Sequence, residues 1–239
     1  DDMSYKKRIG DLYEKYYNEY KKTIDTNYRN IIANMYKHEY ALRRLAEGPT
    51  RSEPLIRKWL AVEDSNMYEL VPMIKSKGFP GEKRIGLSHI LPEQVDDSRT
   101  GDRRNTYDFR MVSVNLNCHA ATLFFHHRCG YMLLKEELMQ AVLEGELHPR
   151  EYALIYEWSH NYFAVKHWDD DYHDFRCEGN RQDEWYNIFI EPFLYSKDIA
   201  AVNKARAEIG MCSLDHDEKK KKFAIDNELY LYFGTFRKI

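Results

Sequence analysis

Two stretches of this sequence gather the side chains that could bind a metal or move protons. The first holds Cys118, His119, His126, His127 and Cys129. On a helix His119 and His126, seven residues apart, share a face, and Cys118 and Cys129, eleven apart, nearly align. Zinc accepts both donor types, but the paired short spacings of a structural zinc site are absent and a further ligand would have to come from elsewhere. The expectation is packed or hydrogen-bonded histidines, with no metal and no cofactor. The second stretch holds His160, His167, Asp169, Asp170, Asp171, His173 and Asp174. Imidazoles beside carboxylates could hold an ion or tune one another's pKa. Their spacing matches no metal motif, so a solvated acidic loop is expected.

Other chemistry finds less support. No cysteine is singled out as a nucleophile, and no serine sits in a glycine elbow. Glycine-rich phosphate loops are missing as well. Lys219, Lys220, Lys221 and Lys222 follow Asp215, Asp217 and Glu218. This mixed run reads as an exposed, charged helix end rather than a nucleic-acid patch.

The elements that must position these groups can be bounded from composition. A chain of 239 residues that is 43% hydrophobic and 14% aromatic can bury a real core. A net charge of −3, from 36 basic and 39 acidic residues, lacks the basic excess of a nucleic-acid binder, so no nucleic acid is expected. No run of about 18 apolar residues marks a membrane span. The basic N-terminal residues precede no apolar stretch and do not read as a signal peptide. A start at Met3 and an export signal removed before Asp1 both stay open. The four cysteines are too few and scattered for a disulfide scaffold, and reduced thiols are expected. That expectation favours the cytoplasm slightly, with export as the other possibility.

Apolar residues recur at three and four over residues 3–46, predicting two helices with a bend near residues 25–27. Gly48 and Pro49 end that segment. A helix over 53–77 follows, with a kink or break near Leu70 because Pro72 lies inside it. Gly78, Phe79, Pro80 and Gly81 stop it. Further helices are predicted over 117–144, 150–163 and 197–209, the last capped by Ser196. Gly130 could interrupt the first of these. Strand composition appears at 185–190 and 228–236, and pairing them would give a small sheet. The expected architecture is therefore mainly α, a multi-helix domain with a small β element. An N-terminal helical segment, 1–48, packs on a main α-helical domain, 53–239, with a small C-terminal sheet.

Five elements in order resemble an uncharacterised bacterial family, a domain of unknown function associated mainly with Bacteroidetes. They are Asp64-Ser65-Asn66; Lys77-Gly78-Phe79-Pro80 with Ile85-Gly86; Phe125-His126-His127; Glu144-Gly145-Glu146-Leu147; and the 202–210 segment carrying Asn203, Arg206 and Gly210. They look like that family's D-x-x-N helix, G-[FW]-P turn, Q-H pair, G-x-[ILV] helix end and N-x-x-R-x-x-x-G helix. The similarity spans roughly residues 60–222. His126 stands where the family has glutamine, Cys129 where it has an acidic residue, Glu157-Trp158 where it has Asp-Arg, and the 186–189 segment where it has Y-G-T-Q. The resemblance implies no activity, and these departures imply that any catalysis in the family is lost here.

Asp64 and Asn66 on one helix, His127 on a second and Arg206 on a third would need partners if they face a core. They form either a buried structural network or the lining of a pocket. The expected function is a non-catalytic binding or interaction module for a protein or small-molecule ligand, with Asn66, His126, Asn203 and Tyr186 as binding residues. Its rival is a hydrolase-like enzyme. There His127 would be the general base, Asp64 or Glu157 would orient it, and Arg206 would hold an anionic group.

Overall fold

The computed structural model describes residues 2–86, 119–164, 189, 198–227, 229–232 and 235–238. Helix α1 (Asp2–Thr23) carries an aromatic and aliphatic stripe that the rest of the chain leaves largely in solvent. Leu12 is 51% exposed and Tyr16 60%, while Tyr17 and Tyr20 are half-buried. The chain turns at residues 24–25, where the bend was expected. The Asp25 carboxylate then accepts the Tyr28 N–H at 2.9 Å and starts helix α2 (Thr26–Glu47). An N-cap of this kind satisfies one of the four amides that open every helix.

Helix α3 (Glu53–Lys77) returns antiparallel to α2. At the end where they connect, Leu42 and Ala46 pack with Ile56, Trp59 and Leu60. At the far end the Tyr28 hydroxyl donates to the Gly78 carbonyl at 3.3 Å. Gly78 holds φ 83°, a left-handed turn that glycine takes without strain, and returns its N–H to the Ile74 carbonyl. Of the kink or break expected near Leu70, the break does not occur, for α3 runs continuously through Pro72. Pro72 lies on the exposed face, where water can serve a carbonyl that lacks its usual amide. A one-turn helix, α4 (Glu82–Ile85), follows, and the buried Arg29 guanidinium ties its Ile85 carbonyl to α2 at 2.6 Å.

The helix predicted over 117–144 is three helices instead: α5 (His119–His126), α6 (Gly130–Leu133) and α7 (Lys135–Leu143). The ladder fails after His126 because the Cys129 N–H turns to the His127 ring at 3.1 Å. Gly130 is needed there, since a Cβ would lie 2.0 Å from the Phe124 carbonyl oxygen. Helix α8 (Pro149–Ala164) opens with proline in its first turn, as expected. Helix α9 (Ile199–Glu208) is capped by Asp198, whose carboxylate accepts the Ala201 N–H at 3.0 Å. That cap takes the place expected for Ser196, which lies outside the described residues. Helix α10 (Leu214–Asp226), anticipated only as a charged helix end, completes the helical part.

Two short strands, β1 (Leu229–Tyr232) and β2 (Thr235–Lys238), pair antiparallel with Leu231 opposite Phe236. The strand expected at 185–190 lies outside the described residues except for Phe189. The fold is mainly α. Its core joins α2, α3, α5, α7 and α8 through Ile32, Met67, Leu70, Phe124, Leu138 and Ile155. Each such side chain contributes about 1.5–3 kcal/mol on burial. No described helix is long and apolar enough to cross a membrane.

Candidate functional site

The periodicity that buries the apolar face of α3 also buries Asp64, and the break after α5 turns His127 toward it. His127 Nε2 lies 3.0 Å from Asp64 Oδ1, with both side chains buried. On the other side of the ring Nδ1 accepts the Cys129 N–H. An accepting Nδ1 places the proton of the neutral ring on Nε2, which donates it to Asp64. Both nitrogens are therefore engaged, and the ring has 0% exposure. This is the posture of a histidine that holds a helix junction together. A general base needs a nitrogen within reach of a substrate proton.

The other two residues of the expected hydrolase site both meet the Phe189 backbone, elsewhere in the fold. Glu157 on α8 accepts the Phe189 N–H at 2.5 Å. Arg206 on α9 donates to the Phe189 carbonyl, to Asp217 Oδ2, and through Nε to the Cys212 carbonyl at 2.7 Å. Phe189 is thus held at both its amide and its carbonyl. Asp217 on α10 also receives Arg150 at 2.6 Å and the Cys212 thiol at 2.9 Å. Burial would raise the Asp217 carboxyl, but the thiol hydrogen bond and the Arg150 and Arg206 charges outweigh it and hold the group below its ordinary pKa. Every nitrogen of Arg206 is spent on the protein, so none is offered to an anion.

Among the expected binding residues, Asn203 caps α10 by accepting the Leu214 N–H at 2.9 Å. Asn66 is buried, and its Nδ2 has no hydrogen-bond partner among the described residues. Tyr186 lies outside the described residues, as do His167, His173 and the acidic run between them. His160, from the same stretch, donates Nδ1–H to the Tyr156 carbonyl at 2.7 Å and sits against the Tyr131 and Tyr156 rings. Desolvation lowers its pKa despite that hydrogen bond, and the Lys135 charge adds to the lowering.

The cysteines differ from expectation too. Cys129 is disulfide-bonded and its partner lies outside the described residues, while Cys212 is a free thiol. Reduced thiols therefore do not hold throughout, and Cys129 cannot serve as the thiolate ligand weighed for the 118–129 segment. Lys219 and Lys222 pair with Asp215 and Asp226 one turn away on α10, as a solvated face requires.

One constellation was not anticipated. Glu39 on α2, Glu63 on α3 and His126 on α5 bring one donor atom each to within 4.8 Å of one another. His126 Nδ1 lies 2.6 Å from Glu39 Oε1. Glu39 and Glu63 are 1% and 3% exposed. Next to them His119, one helical face along from His126, stacks on Tyr36 of α2 at 4.1 Å with 3° between the rings. The signal for this site was a carboxylate inside an apolar period. Glu39 falls in the series Met35, Glu39, Leu42, Ala46, and Glu63 in the series Leu60, Glu63, Met67, Leu70. Comparison with protein-family models, curated proteins and solved structures finds no match to this chain.

Proposed function

We propose that this chain is a non-catalytic binding domain, of the bacterial kind whose motifs it resembles, and that it works through a protein partner. The observation that carries this reading is the state of His127. Its ring is sealed, one nitrogen gives its proton to Asp64, and the other takes the Cys129 amide. Arg206 and Glu157 are likewise consumed by the Phe189 backbone and the Asp217 carboxylate. These groups build the fold and leave none of the expected hydrolase set facing a substrate.

The surface offered for recognition is α1. Leu12 and Tyr16 stand four residues apart on one helical face, both more than half exposed. Lys15 flanks them, with Lys21 and Lys22 in the last turn. An amphipathic helix of this length gains most of its stability by laying its apolar face against another surface. The partner it suits is a protein with an apolar groove and an acidic rim. We propose as well that the 185–190 segment adds a strand beside the 229–238 hairpin, which amide hydrogen exchange would reveal as protected amides.

Titration calorimetry of the purified protein against proteins encoded beside its gene tests the function. A partner that binds the native chain and is lost by the Leu12→Asp/Tyr16→Asp variant, at unchanged melting temperature, supports it. Turnover of any hydrolysable substrate that His127→Gln abolishes would overturn it.

A further inference from the structure

We infer that Glu39, Glu63 and His126 form a binding site for one divalent first-row transition-metal ion. Two consecutive helices, α2 and α3, and the distant α5 each deliver a donor to the same small volume, with all three ligand atoms within 4.8 Å. A single ion with bonds of about 2.0–2.2 Å holds its donors at most about 4.4 Å apart, so the three atoms need to close only slightly to share one.

The second observation is an unserved oxygen. Glu39 is 1% exposed, and while Oε1 meets His126, its Oε2 has no hydrogen-bond partner among the described residues. A buried carboxylate oxygen without a donor is a costly feature, and a bound ion is one thing that satisfies it. Asp217, another of the buried carboxylates among the described residues, has its oxygens filled by Arg150, Arg206 and Cys212. Glu39 is built differently.

The chemistry of the donor set selects the ion. Two carboxylates offset a charge of +2 and admit manganese(II), and the imidazole favours zinc or iron(II) over calcium or magnesium. Loading displaces the proton that His126 Nδ1 shares with Glu39 Oε1, and the nitrogen lone pair then takes the metal. Three protein donors leave at least one position for water. An ion held this way ties α2, α3 and α5 together, so it stabilises the core against which the remaining helices pack. This inference stands apart from recognition by α1 and does not need it.

The test uses the full chain, stripped with chelator and titrated with zinc chloride and, separately, manganese(II) chloride. The expected result is one equivalent bound and a melting temperature that rises with free metal. Glu39→Gln and His126→Gln should each lose that equivalent, a larger effect than the roughly 10–100-fold cost of altering a mere neighbour of a ligand. Asp215→Asn, on the exposed face of α10, should bind like the native chain. X-ray absorption at the zinc edge of the native protein supplies a readout that needs no variant: one imidazole nitrogen with oxygen donors. Binding of less than stoichiometric metal by the native chain overturns the inference. So does a zinc shell with sulfur or a second imidazole, or equal binding by folded Glu39→Gln.

Discussion

The Asp217 carboxylate, held between α8, α9 and α10, and the Glu39 carboxylate, held between α2 and α5, are both buried but are served unequally. Asp217 is 5% exposed and is met by Arg150, Arg206 and the Cys212 thiol. Glu39 is 1% exposed, has the His126 ring on one oxygen, and leaves Oε2 without a hydrogen bond. The same charge at similar depth therefore belongs to two kinds of structure. A carboxylate whose lone pairs are filled by fixed donors is a fastener, because a ligand has nothing left to take. One with an oxygen unserved, next to a second carboxylate and an imidazole, is the setting in which we infer a cation. The resemblance-based candidates, His127, Asp64, Glu157 and Arg206, all fall on the fastened side.

The largest effect expected from this contrast comes from breaking the fastener at Arg206. Arg206→Leu leaves the Asp217 carboxylate with only Arg150 and the Cys212 thiol, and leaves the Phe189 and Cys212 carbonyls without their donor. Removing one partner of a buried charged set costs about 3–5 kcal/mol. Denaturant unfolding followed by circular dichroism should show the midpoint falling accordingly. The double variant Arg206→Leu/Asp217→Leu should recover part of that loss, because the buried carboxylate is gone and only Arg150, which reaches partly into solvent, loses its partner. A single-variant loss below about 1 kcal/mol would mean that the Asp217 network is not what holds α9 and α10 together.

Next in size is the pair that fixes the α5 junction. Asp64→Ala leaves the His127 Nε2–H buried without its acceptor, a loss of about 1–3 kcal/mol. Asp64→Asn keeps a carbonyl oxygen in the same place and should lose clearly less. The two midpoints, measured side by side, separate a hydrogen bond from a simple loss of volume. Equal losses would say that the His127 ring does not depend on Asp64 for an acceptor.

How far these sites could be read from sequence follows the range of the interactions involved. Local rules carried the α2 start at Asp25, the α3 end at Gly78 and the opening of α8 at Pro149, because caps and prolines act within one turn. Periodicity carried the extent of α3 but overstated the role of Pro72, whose effect depends on which face it occupies. The split of 117–144 into three helices was harder to read. It rests on the Cys129 amide choosing the His127 ring over a backbone carbonyl, and on Gly130 meeting Phe124. The Glu39–Glu63–His126 constellation was invisible to motif spacing because its members come from three helices. A search for carboxylates inside apolar periods would have found Glu39 and Glu63. Arg206 stood out as a charged residue on a helix that could face the core, but its partners Phe189 and Cys212 are fixed only by the fold.

Acid titration should divide the molecule again, with His160 responding before Asp217. Desolvation, helped by the Lys135 charge, lowers the folded pKa of His160 even though the Tyr156 carbonyl raises it. The unfolded imidazole then takes a proton near its ordinary value of about 6.5 while the folded one resists. Its contribution is complete above about pH 6.5 and is lost as pH falls toward the lower folded value. Asp217 is lowered as well: burial raises it, while Cys212, Arg150 and Arg206 prevail. Its contribution is complete above the unfolded carboxyl value of about 3.9 and is lost as pH falls through its folded value. Stability measured across pH 3–8 should therefore fall in two stages. His160→Phe should flatten the upper stage alone and Asp217→Asn the lower. A single stage that neither variant alters would break the assignment.

The smallest effect belongs to the charged face of α10, and it sets the baseline for the others. Lys219 and Asp215 form an ion pair at 2.6 Å, shorter than the 3.0 Å between His127 and Asp64. Distance alone would rank the surface pair higher. Its side chains are 72% and 75% exposed, however, so water and salt screen the attraction and both side chains lose freedom in forming it. Lys219→Ala should change stability by less than about 1 kcal/mol, and by less still at high salt. Asp64→Ala should keep most of its cost at high salt, because solvent ions cannot reach a buried hydrogen bond. Unfolding midpoints for both variants at low and high sodium chloride decide the matter. If Lys219→Ala proved as costly as Asp64→Ala, burial would not be what separates the fasteners of this fold from its solvated face.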